Sequence, residues 1–574
     1  MIKIKFYALS FVLIVLFAGL QLACSGTNEA DLVLRNGKIV TVDDNNPEAQ
    51  ALAIKGDKIV AIGSDEDIRI MIGLKTKVID LDGKLAIPGF IEGHGHFMGI
   101  GYAKMNLELM NVKNWEEIVA MVAEAAKNAE PGAWITGRGW HQEKWDSTPV
   151  PSVDGNPTHH RLSEVAPDNP VRLGHASGHS SIVNAKAMEL AGITKDTADP
   201  DGGEILRDAD GNPTGVLRET AQGLISRARN QAAEERSEEE IEANKRKAIK
   251  LAQEDCLSKG ITSFQDAGSG FGTIDLFKRV IADGELKLRL WVMVSGSNER
   301  LEENLANYKI IGEGNNMLTV RAIKKSIDGA LGSHGAWLLE PYTDLPTSSG
   351  LNTTSLESLK ETARLAALYD FQLCVHAIGD RGNQEVLNIF EDTYKNNPNK
   401  SDLRWRIEHA QHLYPSDIAR FGELGVIASM QGIHCTSDAP WVPKRLGDKR
   451  AEEGAYVWQK LMAAGAVVTN GTDAPVEDVD PIASYYATVS RKSKDGSVFY
   501  PDQRMSRLEA LKSYTINCAY AAFEEEIKGS LTIGKLADIT VLSKDIMTIP
   551  EDEIPSTEVI YTIVGGKVMY EKDK

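Results

Sequence analysis

The stretch Pro88-Gly89-Phe90-Ile91-Glu92-Gly93-His94-Gly95-His96-Phe97, "PGFIEGHGHF", closes an apolar run that begins at Leu85. Such a run reads as a strand, and residues i and i+2 of a strand face the same side. His94 and His96 therefore project together from a strand end, while Gly93 and Gly95 remove bulk on the other parity. A lone histidine is usually a hydrogen-bonded polar residue. A same-face pair at a strand end is instead a candidate pair of metal ligands.

Seven more apolar runs follow: "ITSFQD" (261–266), "LRLWVMV" (288–294), "RAIKKSIDG" (321–329), "LCVHAIGD" (373–380), "RWRIEHA" (404–410), "VIASMQ" (426–431) and "AVVTNGTDAP" (466–475). Helical segments lie between several of them. Three open on capping-box spacings: Ser237 with Glu240, Thr354 with Glu357, and Ser506 with Glu509. Strand–helix alternation over eight runs predicts an α/β fold, a (β/α)8 TIM-like barrel over 88–529. The interval between the first run and Ile261 is too long for one crossover. It holds a helical pattern over Trp115–Asn128 and Gly- and Pro-rich loops, so 100–235 reads as an insertion that shapes or covers the substrate site.

Both chain ends read as β. "DLVLRNGKIVTVD" and "ALAIKGDKIVAIG" carry Asn-Gly and Gly-Asp turns with the signature of hairpins, and "KLADITVLS" and "VIYTIVGGKVMYEKD" resemble them at the other end. Residues 29–87 and 530–574 are expected to form one small β-sandwich domain.

The 574-residue chain has a formal charge of −19, which argues against a nucleic-acid partner. Lys3 and Lys5, the apolar stretch 6–20 and the small residues before Cys24 describe an export signal over 1–23. The stretch is short for a spanning helix, which needs about 20 apolar residues. Leu22-Ala23-Cys24 also resembles a bacterial lipoprotein signal, in which Cys24 is lipidated and attaches the chain to a membrane; Gln21 stands where an aliphatic residue is usual. The expected location is periplasmic or membrane-anchored. The isolated cysteines Cys256, Cys374, Cys435 and Cys518 read as small buried apolar residues rather than a disulfide framework. Self-association is left open.

His376 and His409 end the fifth and sixth runs, and Asp473 follows the eighth. Together with His94 and His96, they place imidazoles and a carboxylate on the ligand-binding face of one barrel, a donor set that suits Zn²⁺ or a similar divalent ion. Lys324 has the parity of Ser326 and Asp328. A lysine pointing into a barrel needs a partner or a modification; a salt bridge with Asp328 is one solution, and carboxylation by CO₂ to an anionic ligand is the other.

These motifs resemble the amidohydrolase superfamily, and within it the family 3 branch that includes N-substituted formamide deformylases. "PGFIEGHGH" resembles the branch's first-strand motif and "IKKSIDGALGS" its fourth, with Lys324 in the lysine position. "VHAIGDRGN", "RIEHAQ", "ASMQGIHCTSD" and "NGTDAPVEDVDP" resemble the fifth to eighth, while "GHSSIVNAKAM" and "TGVLRE" resemble its inserted region. Glu92 stands where Asp is usual, and Gly93 where Ser or Thr is frequent. The resemblance implies a hydrolase in which His94, His96, Lys324, His376, His409 and Asp473 hold one or two metal ions, with Lys324 N6-carboxylated if two are bound. It implies that Asp473 moves the proton from water to the leaving nitrogen. His434 then steadies the carbonyl or developing oxyanion, unless it makes a structural hydrogen bond.

His179, Asn184, Trp140 and Asp328 are the substrate-binding candidates, with Trp145 as a further apolar wall. Glu408, of opposite parity to His409, reads as orienting a neighbour, and Asp380 and Arg381 as pairing with each other. The expected reaction is cleavage of a non-peptide carbon–nitrogen bond in a small amide-type substrate. Deamination and hydrolysis of an N-acyl amino acid are the nearer alternatives on the same scaffold. A non-catalytic binding lipoprotein is the alternative of another class, disfavoured by the complete ligand set.

Overall fold

A computed structural model describes residues 29–572 apart from 143–144, 177, 179, 201–202 and 235–236. The signal at 1–23, Cys24 and His179 lie outside the described residues.

Each of the eight apolar runs overlaps a strand of one parallel barrel sheet: β1 (Phe90–Gly95), β2 (Ile261–Ser269), β3 (Arg289–Val294), β4 (Leu318–Ser326), β5 (Gln372–Ala377), β6 (Arg406–His409), β7 (Ile427–Gln431) and β8 (Val468–Gly471). They are hydrogen-bonded in that spatial order. Two backbone bonds just past the strands join β8 to β1, Asp473 N to His94 O at 2.8 Å and His96 N to Ala474 O at 2.7 Å. The result is a nearly closed eight-strand barrel of the TIM type. Strands such as "RLWVMV" are buried along their whole length because the barrel covers one face and helices cover the other. Helices Phe271–Ala282, Asn298–Tyr308, Leu356–Tyr369 and Asp380–Asn396 provide that cover.

The opening run is two strands. Leu85–Pro88 pairs with Ile539–Leu542 from the far end of the chain, and β1 begins only at Phe90. Gly89 makes the transition, because a Cβ there would fall 2.3 Å from the Thr262 side chain. The chain ends form two sheets. One orders Lys58–Gly63, Ala51–Lys55, Leu32–Arg35 and Lys77–Asp80. The other orders Lys567–Glu571, Val559–Val564, Ile539–Leu542, Leu85–Pro88, Lys38–Val40 and Glu48–Ala49. Leu34, Ile54 and Ile79 of the first pack with Ile39, Ile539 and Ile563 of the second. The Gly56-Asp57 and Gly565-Gly566 turns close hairpins as expected. Asn36-Gly37 does not: it sends Leu32–Arg35 and Lys38–Val40 into different sheets, with Asn36 in the left-handed region at φ 54°.

Ser237 and Ser506 make both reciprocal capping-box bonds, and the helix Trp115–Asn128 is present. The third box is displaced: Ser355, not Thr354, caps Leu356–Tyr369. The interval after β1 contains a mixed six-stranded sheet between Leu107 and Glu219 with its own apolar cores. Helices Phe97–Lys104 and Glu238–Ser258 meet where the chain leaves and rejoins the barrel, and a Cβ on Gly101 would fall 2.0 Å from Ala248 O.

Arg289, at the start of β3, fastens the barrel to the end-formed sheets. Its guanidinium donates to both oxygens of Asp538 at 2.7 and 3.0 Å, with both side chains buried. Removing one partner leaves the other charge buried and unpaired. Arg289→Met is expected to destabilise the protein by about 3–5 kcal/mol, read as a lower chemical-unfolding midpoint. The double variant Arg289→Met/Asp538→Leu is expected to recover much of the loss.

Candidate metal centre

The residues that end β1, β4, β5, β6 and β8 converge on the C-terminal mouth of the barrel, where such folds build ligand sites. His94 lies on β1, and His96 caps the following helix. Asp473 Oδ1 sits 3.6 Å from His94 Nε2 and 3.2 Å from His96 Nε2. The ring centroids of His94 and His409 are 4.7 Å apart, and those of His409 and His376 are 4.4 Å apart. Among the described residues, two three-residue groups have donor atoms within 4.8 Å of one another: His94, His96 and Asp473, and His409, His434 and Asp473. His409 and Asp473 both occupy the left-handed region, at φ 75° and 56°. Such strain in non-glycine residues persists where the surroundings fix the backbone, and it is common at functional sites.

Two of these rings have their second nitrogen engaged. His94 Nδ1 bonds Glu408 Oε2, and His409 Nδ1 bonds Gln431 Oε1 at 2.7 Å. A ligating histidine is oriented in this way, its other ring nitrogen held by a carboxylate or amide. What remains is unmatched: His94 Nε2, His376 Nε2, His434 Nε2 and Asp473 Oδ1 are buried without a hydrogen bond. Orphaned buried acceptors cost about 1–3 kcal/mol each. Orphaned donors of one kind gathered in two groups around Asp473 fit a divalent cation.

The electrostatics agree. Burial, joined by the Lys324 ammonium, pushes the His94 imidazole down to about 4 and His376 to about 3. Burial and then His376 and His94 hold His409 well below its usual value. Neutral rings are the ligand form. Burial would raise Asp473, but His96, His409 and His94 outweigh it and keep the carboxylate ionised. Burial lowers the Lys324 ammonium against the opposing pull of Glu408 and Asp473. Lys324 forms no ion pair with Asp328 among the described residues.

The amidohydrolase family model matches residues 77–570. The chain belongs to the amidohydrolase family. It is 34% identical over 555 residues to the protein LONG AFTER FAR-RED 3 of Arabidopsis thaliana, covering 94% of this chain and 92% of that one. It is 27% identical over 554 residues to the N-substituted formamide deformylase of Arthrobacter pascens, covering 95% and 99%. A solved structure of an uncharacterized metal-dependent hydrolase from Pyrococcus horikoshii superposes with a TM-score of 0.74 at 26% identity, over 91% of this chain and 99% of that one. As a family member the protein is a hydrolase acting on carbon–nitrogen bonds.

Two of the substrate-binding candidates, Trp140 and Asn184, are engaged inside the inserted region of this amidohydrolase, and the third, Asp328, lies beside His376. Trp140 is fully buried in the core of the inserted sheet, its Nε1 donating to Leu173 O at 2.9 Å, with Trp145 beside it. Asn184 caps the helix Ala185–Leu190 and is saturated: Oδ1 accepts from Val171 N and Ala187 N, and Nδ2 donates to Ala166 O and Asn169 O. Asp328 lies past the end of β4. Its carboxylate accepts from the Trp337, Ile378 and Gly379 amides at 2.8–3.0 Å, which ties the loop after β4 to the end of β5. Its Oδ1 lies 3.6 Å from His376 Nε2. Asp380 and Arg381 do not pair side chain to side chain: Asp380 accepts from the Leu339 and Arg381 amides, and the Arg381 guanidinium covers the Trp337 ring.

Glu408 does orient a neighbour, His94, and is itself held by Arg406, which also donates to Gln265 Oε1, Gly93 O and Ser429 Oγ. Gln431 and Glu92 have positioning roles the sequence did not single out. Glu92 Oε1 accepts from Thr472 N, immediately before Asp473. His434, expected outside the ligand positions, joins His409 and Asp473 in one of the two donor groups, its ring stacked 6.2 Å from His409.

Proposed function

We propose that this protein is an exported, zinc-dependent hydrolase of small amide-type substrates, with N-substituted formamides as the first class to test. The observation that carries the reading is the pair of donor groups that share Asp473, with His94 Nε2, His434 Nε2 and Asp473 Oδ1 buried and orphaned and two of the rings tied back by Glu408 and Gln431. His94, His96, His376, His409, Lys324 and Asp473 would hold the metal, with His434 in reach of the same point. The ion supplies Lewis acidity toward a water and toward the scissile carbonyl.

The chain's own residues do the rest. Asp473, kept ionised, accepts a proton from the attacking water and delivers it to the leaving nitrogen. His434, where it is not a ligand, donates to the carbonyl oxygen as charge grows there. Burial favours the neutral amine of Lys324, the form that reacts with CO₂, which supports a carboxylated Lys324 and a second metal position. The inserted sheet between Leu107 and Glu219 and the end-formed sheets are read as a substrate-shaping region and a sandwich domain.

The test is a purified protein expressed with metal supplied. Elemental analysis is expected to find about one or two equivalents of a divalent metal, and chelation is expected to abolish turnover. A panel of N-substituted formamides, cyclic amides, N-acyl amino acids and aminopurines reads the substrate class. Less than about a tenth of an equivalent of any transition metal in a folded protein would overturn the metal centre.

A further inference from the structure

We propose that residues 70–78 form the face that this protein lays on a phospholipid bilayer, with Cys24 as its anchor; the proposal rests on the export and lipidation reading of residues 1–24. Three large exposed apolar side chains fall within this short span: Ile70 at 83%, Leu74 at 104% and Val78 at 37% of full exposure. Ile70 ends the helix Asp65–Arg69, and Val78 lies on the edge strand Lys77–Asp80. Lys75 and Lys77, both exposed, stand among them. Of the surrounding acids, Glu66 pairs with Arg69 at 2.9 Å and Asp80 with Arg35 at 3.4 Å, while the Glu29 carboxylate lies against Gly73 and Asp65 and Asp67 stand in the first turn of the helix before Ile70. Lys75 and Lys77 are the cations that flank the apolar tips. Anionic headgroups attract lysines near the membrane surface.

One exposed leucine needs no explanation. The place where the chain enters the fold supplies the second observation. Ala30 N donates to Met71 O at 2.9 Å, and the Glu29 side chain lies over Gly73, where a Cβ would fall 2.0 Å from its Cδ. Cys24 precedes Ala30 by six residues. At about 3.5 Å per residue, that connection cannot exceed about 20 Å. An acyl chain on Cys24 therefore holds this loop close to the bilayer. No helix among the described residues is long and apolar enough to cross a membrane. Apolar side chains at an interface reach about 5–10 Å into the headgroup boundary. With an acyl anchor supplying the attachment, the contact at Ile70 and Leu74 fixes the barrel's orientation.

The experiment uses the full chain, processed in a bacterial host and reconstituted in vesicles of phosphatidylethanolamine and phosphatidylglycerol. Cys256, Cys374, Cys435 and Cys518 are buried, so Leu74→Cys accepts a thiol-reactive fluorophore at the loop. Leu351→Cys, exposed on the loop after β4, is the control. Nitroxide-headgroup lipid is expected to remove more than about half of the fluorescence at position 74 and little at 351, given the insertion depth above. Mass analysis of the N-terminal peptide reports the acyl chain. An acylated protein with no quenching at position 74 overturns the face alone. A protein without an acyl chain overturns the anchor and the face with it, and either result leaves the hydrolase reading standing.

Discussion

Asp473→Asn is expected to lower kcat by about 10²–10⁴-fold, the usual contribution of a positioned acid–base group, with the fold retained. Asparagine matches the carboxylate in size and can still accept a hydrogen bond, so the loop after β8 keeps its place. That place is set independently of the carboxylate, by Asp473 N donating to His94 O and Thr472 N to Glu92. The left-handed backbone at this position also tolerates asparagine. What the amide cannot do is take a proton from water at neutral pH. Metal affinity falls because one anionic donor is lost, but the histidines remain, so the comparison is made at saturating metal with bound metal measured in both proteins. A variant that turns over within about threefold of the wild type, metal for metal, would assign the proton transfer to another group.

The eight apolar runs were legible as barrel strands because each is a local pattern, and the candidate ligands could be grouped because they stand at the ends of those runs. Local patterns failed where the outcome depended on a distant partner. Asn36-Gly37 has hairpin chemistry, yet Lys38–Val40 pairs with Leu85–Pro88 and Leu32–Arg35 with Ala51–Lys55, a choice made by the sheets. The inserted sheet was hidden because Gly137, Gly139 and Gly174 interrupt the apolar alternation of Ile135–Trp140 and Val171–His175. Trp140 was read as an apolar pocket wall and Asn184 from the motif of the inserted region, but a carbonyl holds the indole and backbone groups saturate the amide. Asp328 is held by backbone amides and still reaches within 3.6 Å of His376 Nε2. Glu408 was readable as a positioning residue from parity. That its target would be His94 required the barrel to bring β6 and β1 to opposite sides of one interior.

Glu408→Gln is expected to weaken both stability and metal binding, and the two effects can be separated. Glu408 and Arg406 are fully buried, with Arg406 Nε 2.7 Å from Glu408 Oε1. An amide in place of the carboxylate leaves the guanidinium buried without a counter-charge, which costs about 3–5 kcal/mol in comparable pairs. Burial pushes the Glu408 carboxyl up, but Arg406 and His94 overcome it and hold it well below the usual carboxylate range. The folded-state value lies below the unfolded one, so this stabilisation is complete above about pH 5 and is lost as the pH falls toward the folded-state value. The metal-free wild type should therefore lose this contribution in acid, and the glutamine variant should not. Metal affinity falls for another reason. Glu408 accepts from His94 Nδ1 and leaves Nε2 as the electron-rich donor; weakening such a partner typically costs about 10–100-fold in metal affinity. Arg406→Met/Glu408→Met removes both charges and should recover stability, but it leaves His94 Nδ1 without its acceptor. Unfolding of the metal-free proteins and metal titration of the folded ones are the two readouts. If the double variant regains stability while its metal affinity stays low, Glu408 acts on the metal through His94. If both recover together, its role is confined to neutralising Arg406.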